Sequence, residues 1–160
     1  MATTTPLRGT VTALTFAAGD STLASGAYAV SSAVDTSTLG SGSIAADDAL
    51  LTISAGIAAT AVANDTIDVY VVTSIDGATY SDAPADTSTD TTHNANMAYA
   101  GSLVVPSAAA ATLVMALKSI ASVLGLDDVP RYLKIVVYNG SRAALTSLAG
   151  SVQGINESVA

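Results

Sequence analysis

The side chains here that could do chemistry are few, and most fall in one polar stretch. His93 is the only histidine and the chain has no cysteine, so a thiolate nucleophile, a disulfide framework and a cysteine-bound zinc are all excluded. Acyl transfer needs a nucleophile beside a positioned base, and a lone histidine among Asp, Thr, Ser and Asn is ordinarily a solvated side chain. Asp82, Asp86 and Asp90 recur at every fourth position in the same stretch. Carboxylates are the hard oxygen ligands that calcium takes, but a calcium loop alternates its donors around a fixed glycine, and this stretch does not. Asp47-Asp48 and Asp127-Asp128 read as turn aspartates that cap the backbone. No catalytic, cofactor-binding or metal-ligating residue is assigned, and a chain without enzymatic activity is expected.

What is left is charge and hydrogen bonding. The formal charge is −8 with only five Lys and Arg, which argues against a phosphate-binding surface and hence against nucleic acid as a partner. The start of the sequence lacks the basic and then apolar pattern of an export signal, and no apolar run approaches a bilayer span, so synthesis in the cytoplasm without membrane contact is expected. Asn64, Asn139 and Asn156 each open an Asn-x-Ser/Thr acceptor pattern, read as chance matches on the same grounds. Between Gly9 and Asp128, Lys118 is the one basic residue against twelve acidic ones. Arg131, Lys134 and Arg142 then fall close together. They are either ordinary surface charge or a basic face that meets the acidic body of a second copy, in which case assembly weakens with salt. The residues named as candidate subunit contacts are these three, Thr5 and Leu7 near the N-terminus, and Asp86 and Asp90 of the polar stretch.

These residues need elements to carry them. A chain of 160 residues suits one domain, here 7–160, preceded by an arm over 1–6 without periodicity. Aromatics are 4% and charged residues 11% of the sequence, which implies a core of small side chains under a surface that is polar without being ionic. Strands are expected over 7–16, 28–35, 49–57, 66–74 and 97–105 from their alternation. The stretch 82–96 is expected to be a long loop, and loops of that length usually carry a function or a contact. Residues 108–124 fit both a helical stripe and a strand; a strand near 112–118 with a short helical turn at 120–124 is the choice made. Pro130 then opens the best strand, with Leu133, Ile135 and Val137 on its core face. Asn139-Gly140 is expected to supply positive φ angles for a tight reversal into a paired strand through Leu145, Leu148 and Val152. The fold class that results is all-β: an antiparallel β-sandwich or jelly roll of seven to eight strands with at most one short helix.

Three segments carry a resemblance: Val-Tyr-Val-Val-Thr-Ser-Ile-Asp-Gly-Ala-Thr-Tyr at 69–80, Gly-Ser-Leu-Val-Val-Pro at 101–106 and Pro-Arg-Tyr-Leu-Lys-Ile-Val-Val-Tyr-Asn-Gly-Ser at 130–141. In this order they resemble small virion proteins of tailed bacteriophages, over about residues 7–155. The resemblance implies a jelly-roll sandwich without catalytic residues or cofactors, sitting on the outer capsid surface as a decoration (cement) protein. Its implied partners are the major capsid protein and copies of itself, as a trimer. A tail or neck component of the same virion is the nearest alternative. From another class, a carbohydrate-binding sandwich would use some of Tyr28, Tyr70, Tyr80, Tyr99, Tyr132 and Tyr138, although these form no cluster in sequence.

Overall fold

A computed structural model describes residues 4–17, 20–41, 45–89 and 97–159, with the side chains of 4–6, 21 and 157–159 left aside. Ten strands and one helix follow in chain order: β1 Thr4–Ala13, β2 Tyr28–Val30, β3 Val34–Asp35, β4 Asp48–Ile57, β5 Thr66–Ser74, β6 Ala98–Val104, β7 Ala111–Val114, β8 Lys118–Ser119, α1 Ile120–Leu124, β9 Tyr132–Asn139 and β10 Leu145–Val159. One sheet has the order β1-β10-β4-β7, with β8 also on β4; the other has β2-β9-β5-β6, with β3 also on β9. Every pairing is antiparallel. Counting β2 with β3, and β7 with β8, as interrupted strands leaves eight, and their alternation between two four-stranded layers is the double Greek key of a jelly roll.

Alternation explains the layers. In β4, Leu51, Ile53 and Ala55 are fully buried, and across the sandwich Ile67 and Val69 of β5 and Leu133, Ile135 and Val137 of β9 meet them. Burying each of the leucine, isoleucine and valine side chains contributes roughly 1.5–3 kcal/mol before entropy is counted. The opposite face of β5 and β9 is covered as well. Tyr28, Tyr70, Val72, Met97 and Val136 form a second apolar cluster, against which Tyr80 and Ala83 pack. The segment after β5 therefore folds back over the outer face of its own sheet. Tyr28 N–H donates to the Ser88 carbonyl and Thr87 N–H to the Tyr28 carbonyl, at 2.9 and 2.8 Å.

The helical turn at 120–124 forms as expected. Ser119 caps it through Ser122 N–H, Asp48 Oδ1 accepts from Ala121 N–H, and Gly125 closes it in the left-handed region at φ 67°. The strand expected at 112–118 is split into β7 and β8, and the one expected at 28–35 into β2 and β3. The first strand begins earlier than expected, and its pairing with β10 reaches Thr4.

Two turns differ from expectation. An Asp-Gly pair after a strand ordinarily signals a tight hairpin, and Gly77 has the positive φ (73°) that such a turn needs, but the chain does not return as a strand over 78–81. The Asp76 carboxylate accepts from Ser74 Oγ, Ala78 N–H, Thr79 N–H and Thr79 Oγ1, which closes a local turn that releases the chain onto the sheet's outer face. These bonds hold the Asp76 carboxyl well below the usual carboxylate range. At the second site, Asn139 and Gly140 are not among the positive-φ residues, and β9 and β10 belong to different sheets. The expected hairpin is instead a crossover between layers.

Candidate functional site

Each named cation is already engaged within the molecule. Arg131 faces Asp35 at 3.4 Å and lies over the Tyr132 ring, 4.8 Å from its centroid. Arg142 lies 3.6 Å from Asp65 and also donates its backbone N–H to that carboxylate. Lys134 Nζ sits 4.7 Å from the Tyr80 ring centroid. Arg131 and Arg142 flank opposite ends of β9, so the structure does not gather the three into one basic patch. Both ion pairs have an exposed arginine, where solvent screens the attraction and the pair adds little to stability. Asp35 is held below its usual pKa, chiefly by the Ser37 hydroxyl and then by Arg131.

Asp86 also has an internal role, since its Oδ1 accepts from Val30 N–H at 3.0 Å and pins the long loop to β2. Asp82 is exposed at the start of the same loop. Asp90 and His93 lie outside the described residues. Leu7 is 41% exposed on β1; Thr5 is in β1 by its backbone, opposite Ser158. Asp47, Asp48, Asp127 and Asp128 line an open groove of about 630 Å³ with Ser119 and Ser122. Asp48 serves as an α1 cap there, as turn chemistry implied. Among the described residues no three His, Cys, Asp or Glu side chains are grouped to hold a metal. Asn139 and Asn156 are 0% and 2% exposed, so neither could accept a glycan.

Asp20 is the most unusual of the carboxylates. It is 1% exposed; Oδ2 accepts from Ala17 N–H, but Oδ1 has no partner among the described residues. Burial and then the Asp86 charge push its pKa upward, against the Ala17 hydrogen bond. A folded pKa above the unfolded one means that the native state keeps its proton to higher pH, so this group costs stability at neutral pH and the cost disappears on acidification. Asp20→Asn is expected to raise stability at pH 7 by about 1 kcal/mol. In urea titrations across pH, its advantage over wild type should shrink as the pH falls through the carboxylate range. An advantage constant with pH would rule out ionisation as its source.

Two features reach the surface. The first is aromatic. Tyr28 of β2, Tyr70 of β5, Tyr99 of β6 and Tyr132 and Tyr138 of β9 lie on the outer side of one sheet, with Tyr80 packed from above. Tyr28 and Tyr138 stack at 4.8 Å, and Tyr70 and Tyr99 meet edge to face at 5.6 Å. Sequence separation hid this cluster. Its signal was the shared parity of 132 and 138 on one strand, which puts both opposite the core face.

The second is apolar and lies where the edge strands of the two layers meet. Val104 ends β6, Val114 ends β7 and Leu117 precedes β8; they are 54%, 65% and 59% exposed. Gly101 brings the layers close here, since a Cβ on it would rest 3.6 Å from both Met115 and Lys118 side chains. The fold and these surfaces define an all-β jelly-roll sandwich. No family model, curated protein or solved structure matches the chain.

Proposed function

We propose that the protein is a non-enzymatic structural component of a virion, a capsid decoration protein that associates with copies of itself and with the shell protein. The observation that carries this reading is the exposed Val104, Val114 and Leu117 along two adjoining sheet edges, in a chain whose surface is low in charge. Edge strands with exposed apolar side chains favour pairing with another chain. Jelly rolls also serve as viral capsid domains, an analogy of fold that agrees with the segments at 69–80, 101–106 and 130–141. The contact is hydrophobic in this reading. The salt sensitivity expected from the basic trio is not required, because Arg131 and Arg142 already have carboxylate partners.

Sedimentation velocity on the whole chain tests self-association. A trimer is expected at tens of micromolar, and a double substitution Val114→Glu, Leu117→Glu should give a monomer with unchanged circular dichroism. A monomeric wild type would overturn the self-association. Location is tested by the molar ratio of this chain to the main shell protein in purified particles. A ratio near one, or a simple fraction of it, supports decoration; a few per cent would move the protein to the tail or neck, and absence would remove the virion reading.

A further inference from the structure

The outer face of the β5/β6 pair carries a constellation that neither the core nor the assembly edge uses. The register sets Tyr138 of β9, Asp68 of β5 and Ser102 of β6 side by side across the sheet. Tyr99 reaches into the same row: its hydroxyl lies 2.5 Å from Ser102 Oγ, which donates to Asp68 Oδ1, also at 2.5 Å. The Tyr99 ring is braced against Tyr70, which is 7% exposed, yet Tyr99 itself is 56% exposed. Among the described residues, Asp68 Oδ2 accepts no hydrogen bond. Tyr70 stays protonated, its pKa pushed up to about 12 by burial and then by the Asp68 charge, so the brace remains neutral.

The ligand chemistry follows from these groups. A braced, exposed ring offers a flat apolar face, and beside it lie a carboxylate with a free acceptor and two linked hydroxyls. A purely apolar ligand would desolvate Asp68 and Ser102 without replacing their hydrogen bonds. An anion would meet Asp68 and a net charge of −8. A pyranose satisfies both halves, with its C–H face on the ring and vicinal hydroxyls donating to the carboxylate.

We propose that Tyr99, Ser102, Asp68 and Tyr138 form a binding site for a neutral saccharide, with Tyr99 stacking on a sugar ring and Asp68 accepting from its hydroxyls. Tyr138 stands two strands away from Ser102, about 10 Å at the usual strand spacing, so the site spans more than one ring and favours an oligosaccharide over a monosaccharide. Val104 lies two residues beyond Ser102 on the same face of β6, but Val114 and Leu117, which the assembly test substitutes, belong to the segment that pairs with β4 in the other sheet.

The test is a titration of the ¹⁵N-labelled full chain with neutral gluco-, galacto- and manno-oligosaccharides, and with oligogalacturonate and heparin as acidic controls. At least one neutral oligosaccharide should shift the amides around Tyr99, Ser102, Asp68 and Tyr138 with a millimolar or tighter Kd. Tyr99→Ala should weaken it by about tenfold or more, Asp68→Asn should weaken it too, and Tyr99→Phe should keep most of the affinity. The amide spectrum of each variant reports its fold, and Asp68→Asn decides the matter if Tyr99→Ala unfolds. Failure of every neutral oligosaccharide to shift this face, equal binding of the acidic controls, or folded variants that bind like wild type would overturn the proposal.

Discussion

Gly154→Ala is expected to lower the stability of the sandwich by about 3 kcal/mol, a large share of the 5–15 kcal/mol typical of a domain. The reason is space, because Gly154 does not occupy the left-handed region. A Cβ there would fall on the carbonyl of Leu39 and within 2.9 Å of the Leu39 side chain. Leu39 cannot easily yield. It is 1% exposed, and it closes a 3₁₀ turn, Thr36–Thr38, whose first residue hangs by Thr36 Oγ1 from the Pro130 carbonyl at 2.9 Å. On its other side Asn156 holds the same loop, accepting from Ser41 N–H at 3.0 Å and donating to the Ala45 carbonyl. Gly9, facing the same Leu39 carbonyl from β1, should behave alike, and Gly9→Ala with Gly154→Ala should cost less than the sum because they displace one loop. Gly150→Ala supplies the contrast. Its nearest obstacles are the Cδ1 ends of Ile53 and Leu14, which can rotate, so a loss of about 1 kcal/mol is expected there. Urea unfolding followed by circular dichroism measures all three, and a loss under about 1 kcal/mol for Gly154→Ala would show that the 39–41 segment can lift off β10.

That loop marks the boundary of what the sequence could reveal. Alternation placed β4, β5, β6 and β9 within a residue or so of their ends, because each has one face in a shared core and the period of two survives in composition. The short helix was legible from the helical stripe through Ile120 and Leu124, whereas its caps, Ser119 and Gly125, are seen only in the structure. Gly9 and Gly154 gave no such signal, since a glycine kept for close approach looks the same as one kept for a turn. Val72, Val136 and Tyr70 sat on the face opposite the core, and only the return of residues 80–89 over that face explains why it is apolar. The length of the polar loop over 82–96 suggests a function or a contact without saying which, and in its described half Asp86 and Ser88 bond to β2 of the same chain. Basic residues were the weakest guide. Proximity in sequence put Arg131 near Arg142, whereas an extended strand of eight residues between them separates their surroundings, so each found its own aspartate.

The same limit holds for the tyrosines. Six of them, dispersed from position 28 to position 138, gather on one sheet face only when β2, β9, β5 and β6 lie in that order, which is a property of the jelly-roll path and not of any local pattern. Most of their area is structural. Tyr28 is fully buried and Tyr70 nearly so, which leaves Tyr99 and the partly exposed Tyr138 as the rings a ligand can reach. Fold analogy alone cannot decide between capsid and saccharide roles, since jelly rolls serve both viral shells and lectins. Location on the molecule can, because the apolar edge and the tyrosine face would respond to different substitutions.

Asn139→Ala should be still more damaging than Gly154→Ala, with an expected loss of about 4 kcal/mol from several broken hydrogen bonds. Asn139 is 0% exposed at the point where the chain leaves one sheet for the other. Its Nδ2 donates to the carbonyls of Leu23 and Ala143 at 3.0 and 2.9 Å, while Oδ1 accepts from Ser141 N–H at 3.1 Å and Ser141 Oγ at 2.6 Å. Its backbone is bonded too, N–H to the Ala27 carbonyl and C=O to Gly26 N–H. One side chain thus ties β9, the crossover and the segment before β2. Truncation would strand buried donors and acceptors, which is the costly way to lose hydrogen bonds. Asn139→Asp keeps the shape and the bonds from Ser141, but replaces the Nδ2 donor with a second acceptor facing two carbonyls. It should therefore be as damaging at pH 7 as Asn139→Ala and recover partly on acidification, when a protonated carboxyl regains one donor. Ser141→Ala removes a smaller part of the network and should cost about 1–2 kcal/mol. Denaturant unfolding of the three variants at pH 7 and pH 4 gives the order; equal losses for Asn139→Asp at both values would mean that the aspartate is not ionised in the fold.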